Sequence, residues 1–199
     1  MTPWSRVSEA EYAELNLRAH EILVDAPVHD VWRVFLRGSE TCTMKDIRAV
    51  ASRAREARKP ATSVRILFAL RGVLGRVFNW DRAQQESESR SYSARLTESD
   101  RELSLVPSGT HDGPFKVLYV HSAEALSEIQ NSTVHAFLVW ALKPSDGGHE
   151  LYWAVHVLPV NAGTRFYMAL IDPFRRWLVY PELLKQYHEA WGDGPGSAT

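Results

Sequence analysis

Two hydrophobic segments near opposite ends of the chain constrain its fold most. One covers residues 22–35, from Ile22 through Ala26-Pro27 to Phe35, and the other covers residues 164–191 around Asp172-Pro173-Phe174. In the first, residues 17–24 alternate roughly and predict a strand. Ala26-Pro27 disfavours helix before it and allows one to start just after. Val28, Val31, Trp32 and Phe35 then recur at helical spacing, which predicts a short helix with one buried face. In the second, Tyr167, Leu170, Ile171, Phe174, Leu178, Leu184, His188 and Trp191 share one broad helical face. The apolar spacing runs through Pro173, so a single long helix kinked there is expected, with Asp172 as the alternative N-cap of a later start.

Between the two segments the pattern changes. Residues 8–15 predict a helical turn and residues 38–43 a loop. Residues 44–58, ended by Pro60, and residues 63–80 predict helices. From residue 89 the period shortens to two. Residues 91–96 and 101–106 predict a hairpin, residues 115–121 a strand and residues 126–142 one long strand with room for a bulge. Asp146-Gly147-Gly148 is a strong turn signal, and residues 149–157 pair back across it. A strand, short helices between strands one and two, an antiparallel meander and a long C-terminal helix make an α+β, helix-grip arrangement. A curved sheet needs its concave face covered, and a long helix can cover it while leaving a pocket between. One domain over residues 1–191 is expected, followed by a flexible Gly-, Ser- and Pro-rich tail over residues 192–199.

The residues also carry a resemblance. Ala26-Pro27-Val28 with Val31-Trp32 resembles the opening of START-like domains (the SRPBCC, polyketide cyclase-like superfamily). Glu128 to Ala136, Leu151 to Val155 and Tyr167 to Arg176 are similar to an uncharacterised bacterial domain-of-unknown-function family within that superfamily. The resemblance covers residues 18–191. It implies a cavity for a hydrophobic ligand and carries over no catalytic residue.

Composition narrows the classes. A formal charge of −1 gives no general pull toward nucleic acid. Locally, residues 48–82 are basic, which fits either an anionic membrane surface or a solvated helical face balanced by the acidic residues that follow. A single cysteine, Cys42, leaves no disulfide within the chain and suits a reducing cytoplasm. No stretch approaches the roughly 20 apolar residues of a membrane span, so stable membrane insertion is not expected. Seven tryptophans fit an aromatic core or an apolar pocket.

Asn131, Thr133 and His135 alternate along one predicted strand and share a face. With His156, Tyr152 and Arg175 they are the candidate polar groups of the cavity. The same residues are also readable as a solvated strand face and satisfied core polar groups. Trp32, Phe68, Trp140, Trp153, Tyr167, Ile171 and Phe174 are the candidate apolar walls. No metal-ligand spacing or phosphate loop is present, so neither metal nor cofactor is expected. Three functions follow. The first is a protein that binds a small hydrophobic molecule of lipid, polyketide-like or aromatic type. The second is a cyclase- or dehydratase-type enzyme drawing an acid or base from His135, His156, Glu128 or Asp172. The third is an interaction module, which would need Trp140, Trp153 and Trp177 exposed together. The oligomeric state stays open between monomer and homodimer.

Overall fold

The computed structural model describes residues 4–38, 41–57, 90–130, 134–159, 168–169, 172 and 180–192. Its frame is a seven-stranded antiparallel sheet in the order β1-β2-β7-β6-β5-β4-β3. The strands are β1 (Trp4–Arg6), β2 (Val28–Arg37), β3 (His111–Asp112), β4 (Phe115–Val120), β5 (Glu124–Gln130), β6 (Val134–Ser145) and β7 (Gly148–Pro159). The helices that bear on the sheet are α1 (Glu9–Ala13), α2 (Arg18–Ile22), α3 (Met44–Ala57), α4 (Glu98–Glu102) and α5 (Tyr180–Gly192). Among the described residues, no helix is long and apolar enough to cross a membrane.

The strongest sequence signals formed as expected. Residues 146–147 make the turn between β6 and β7, with Gly147 at φ +75°. Gly148 must also be glycine for another reason: a Cβ there would lie 2.1 Å from the carbonyl oxygen of Leu36 on the neighbouring strand. Helix α1 forms within the helical turn expected over residues 8–15, capped by the Ser8 side chain, which accepts from the Glu11 N–H. Helix α3 occupies the Ala- and Arg-rich stretch.

Four expectations are corrected. Residues 28–35 are not a helix but most of β2, which pairs with β1 and β7. Val28, Val31, Trp32, Val34, Phe35 and Leu36 form a nearly continuous apolar run because the strand is covered on both faces, so the alternation that marks a half-buried strand is missing. Residues 17–24 are not a strand but contain α2 and its turn, with Ala19 and Ile22 buried. Residues 91–106 are not a hairpin: a 3-10 helix at Tyr92–Arg95 leads into α4. Thr97 and Asp100 close a reciprocal capping box at the start of α4, a short-range helix signal that outweighs the local alternation. The single strand expected over residues 126–142 is two strands, β5 and β6, paired from Glu124↔Ala141 to Gln130↔His135. Of the expected C-terminal helix, α5 is described, with helical residues at Met168, Ala169 and Asp172. The kink at Pro173, the helix over residues 63–80 and the tail over residues 193–199 lie outside the described residues.

The sheet is buried on both faces. On one face, Val34, Leu36, Leu151, Trp153, Val155 and Val157 pack with Met44, Ile47 and Val50 of α3 and with Tyr180, Leu184 and Trp191 of α5. On the other, Val31, Leu118, Leu126, Phe137, Val139, Tyr152 and Ala154 pack with Tyr12, Ala19, Ile22, Tyr92 and Leu96. The side chains of successive residues on β6 and β7 alternate between these two cores, as strand geometry requires.

Candidate functional site

A row of tryptophans crosses three adjacent strands on the face beneath α5. Trp32 on β2 stands directly opposite Trp153 on β7, which stands opposite Trp140 on β6. The rings of Trp140 and Trp153 are 4.7 Å apart between centroids. Helix α5 lays two tyrosines over the row. Tyr180 lies 5.9 Å from Trp32 and 5.7 Å from Trp153, while Tyr187 lies 5.1 Å from Trp140. These tilted and edge-on contacts are the arrangements that aromatic quadrupoles favour. The helix is tied down at its far end, where the Trp191 indole donates to the Arg37 carbonyl at 2.8 Å. His188 Nδ1 lies 3.2 Å from the Phe35 carbonyl oxygen.

The Trp191 N–H is thus paired, but two others are not. The indole nitrogens of Trp32 and Trp153 are buried and have no hydrogen-bond partner among the described residues. Trp153 as a whole is 8% exposed. Buried donors in proteins nearly always find an acceptor, so two orphans on one aromatic face are unusual.

The opposite face is polar where this one is aromatic, and most of its buried polar groups are paired, His20 Nε2 being without a partner among the described residues. Glu128 accepts from the Ser91 hydroxyl, from the Tyr92 N–H at 3.0 Å and from His135 Nε2 at 3.1 Å. The Gln130 amide nitrogen lies 2.7 Å from that same ring nitrogen. Burial alone would raise the Glu128 carboxyl, yet the bonds from His135, Ser91 and Tyr92 hold it below the usual carboxylate range. His156 receives the Tyr12 O–H at Nε2 (3.2 Å) and donates from Nδ1 to the Ala26 carbonyl (2.7 Å), which assigns the Nδ1–H tautomer. Burial pushes His156 below its ordinary value and pushes the Tyr12 hydroxyl up. Glu124 accepts from the Tyr119 hydroxyl at 2.7 Å and the Arg18 N–H at 3.0 Å, while burial raises its carboxyl. Arg18 in turn grips Asp100 through two bonds of 2.9 and 3.0 Å, which lower Asp100 to about 2.

The sequence-derived candidates therefore separate. Trp32, Trp140 and Trp153 share the face under α5. His135, Tyr152 and His156 lie on the other face, hydrogen-bonded to protein groups. Tyr152 donates to Glu150 at 2.9 Å, beside an Arg33 that pairs with both Glu11 and Glu150. Asn131, Thr133, Phe68, Tyr167, Ile171, Phe174 and Arg175 lie outside the described residues, as does Trp177. Cys42 is half-buried, and burial pushes its thiol up to about 11, away from nucleophilic character.

Sequence reasoning missed a third group, at the start of β2. His29 Nε2 is 2.7 Å from Asp172 Oδ1 and 3.7 Å from Asp30 Oδ2. His29 and Asp30 also line an open cleft of about 350 Å³, together with Arg6, Val7, Ser8, Glu9, Val28 and Val31. No spacing motif marks this group, because its members are adjacent on a strand read as helix and then 142 residues apart (from Asp30 to Asp172). In the sequence, Asp172 reads as a helix cap or as an acid.

A family model described as "Protein of unknown function (DUF2867)" matches residues 22–182, the greater part of the chain. No curated protein and no solved structure matches the sequence.

Proposed function

Since the chain belongs to that family, whose description assigns no activity, we propose from its geometry that it binds a small hydrophobic molecule between the sheet and the C-terminal helix. The observation that carries this reading is the pair of buried indole donors on Trp32 and Trp153, without a partner among the described residues and set among Trp140, Tyr180 and Tyr187. Leaving a buried donor unsatisfied costs about 1–3 kcal/mol. A ligand with an apolar body and one oxygen acceptor removes that penalty while its body fills aromatic surroundings. Pockets of this kind use many apolar contacts and a few placed polar groups. The chemical class is therefore a lipid-like, polyketide-like or aromatic molecule that carries a carbonyl or carboxylate.

On this reading the fold is helix-grip and START-like: an antiparallel sheet with α5 laid along one face and short helices after the first strand. The lone cysteine fits work in a reducing cytoplasm. The near-zero formal charge favours an apolar small molecule over nucleic acid as partner.

The test is native mass spectrometry of the purified chain, followed by titration with decanoate and 1-naphthoate. A retained small molecule, or one-to-one binding of either probe that weakens at least tenfold in Trp32→Phe/Trp153→Phe, supports the proposal. No adduct and no probe binding by the folded chain, or binding unchanged in the double variant, overturns it.

A further inference from the structure

The group at the start of β2 carries a second, independent inference. Val28 pairs with His156 and Asp30 with Val155, so the register slips by one residue and His29 is the extra residue of a β-bulge. In a regular strand, neighbouring side chains point to opposite faces. A bulge re-aims one of them, which is why bulges recur beside functional sites. Here it brings the imidazole of His29 to within 3.7 Å of its neighbour's carboxylate. Asp172 closes the group from a distant part of the chain, 2.7 Å from the same imidazole nitrogen. One nitrogen and two carboxylate oxygens, from three side chains, thus lie within 4.8 Å of one another.

We propose that His29, Asp30 and Asp172 form a binding site for a divalent transition-metal cation, Zn²⁺ or Mn²⁺. Donors about 2.0–2.2 Å from one ion sit roughly 3 Å apart, so the observed 2.7 and 3.7 Å bracket the required separation. An imidazole with two carboxylates suits zinc and manganese, and it lacks the sulfur that would select copper(I) or a cluster. Burial fits as well. The Asp30 side chain is 0% exposed, whereas those of His29 and Asp172 are 23% and 19% exposed. The site is therefore anchored inside and reachable from one side. Asp30 divides its two oxygens: Oδ2 faces His29, and Oδ1 lies 3.3 Å from the Arg6 guanidinium. Three protein ligands leave at least one coordination position open, and the cleft of about 350 Å³ that His29 and Asp30 line gives that position room for a water or a small oxygen ligand.

The test uses the full chain, stripped with chelator and titrated calorimetrically with ZnCl₂ and with MnCl₂. One equivalent of at least one cation should bind at micromolar concentration and raise the melting temperature. His29→Gln and Asp172→Asn, both at partly exposed positions, should each weaken binding at least tenfold. Each should leave the metal-free melting temperature within a few degrees of the parent. Asp30→Asn is less decisive, because a buried, paired carboxylate also supports the fold. Absence of binding by the folded parent chain, or undiminished binding in either variant, overturns the site. In the second case the cation sits elsewhere, on other histidines.

Discussion

The two faces of this sheet are both buried, but they are built by opposite rules. On the face under α1, α2 and α4, buried polar groups are joined to one another: Glu128 to His135, Ser91 and Tyr92; His156 to Tyr12 and Ala26; Glu124 to Tyr119 and Arg18. On the face under α5, three aligned tryptophans meet two tyrosines, and two indole donors are left without acceptors among the described residues. The first face is nearly closed: these groups spend their hydrogen bonds within the protein, and His20 Nε2, edge-on to Tyr12, is left without a partner among the described residues. The second has bonding capacity unspent. Polar residues in a core are thus not by themselves signs of a site; unsatisfied ones are the better guide.

The largest expected effect tests the closed face. Glu128→Ala removes the acceptor for three donors and should cost about 3–5 kcal/mol, the range for breaking a buried charged network. Urea unfolding measures it, and a loss below about 1 kcal/mol would mean the polar groups are solvated after all. Next comes a direct contrast between paired and unpaired indoles. Trp191→Phe strands the Arg37 carbonyl, while Trp153→Phe deletes a donor that had no partner. Both lose the same ring volume, so Trp191→Phe should be the more destabilising by about 1–3 kcal/mol. Equal losses would erase the contrast between the two indoles.

The smallest effect is a pH dependence confined to the closed face. His156 is lowered by burial, so below its ordinary value of about 6.5 the unfolded chain takes up a proton that the native chain refuses. Its contribution is intact above that pH and is lost as pH falls toward the lowered native value, with a slope of at most about 1.4 kcal/mol per pH unit. His20 is lowered by burial in the same direction. His156→Gln should flatten the stability profile below about pH 6.5, as read from unfolding midpoints at fixed pH. Asp100, held at about 2 by Arg18, adds a separate loss at lower pH, beginning below about 4.

Part of this was legible in the sequence. The Asp146-Gly147-Gly148 turn fixes Ser145 opposite Gly148, and counting back from it places Trp140 opposite Trp153. Parity alone then separates Trp140 from His135 on β6, and Trp153 from Tyr152 and His156 on β7. Grouping these tryptophans and polar residues around one cavity overlooked that parity. Other features were hidden for physical reasons. Strand β2 is apolar on both sides, so Val28, Val31, Trp32 and Phe35 mimic a helical face. The bulge at His29 is a local register slip that no spacing motif encodes. Thr97 and Asp100 did carry a readable capping signal, masked by the alternation around it.

On the proposed function, the buried Trp32 and Trp153 donors wait for an acceptor that a ligand supplies. The most direct measurement is the indole ¹H–¹⁵N NMR spectrum, assigned by Trp32→Phe, Trp153→Phe and Trp191→Phe, recorded during a decanoate titration. The Trp32 and Trp153 N–H signals are expected to move downfield and exchange more slowly as decanoate saturates, while the Trp191 signal holds its place. Saturation that leaves the Trp32 and Trp153 signals unmoved, or shifts that track Trp191 instead, would contradict it.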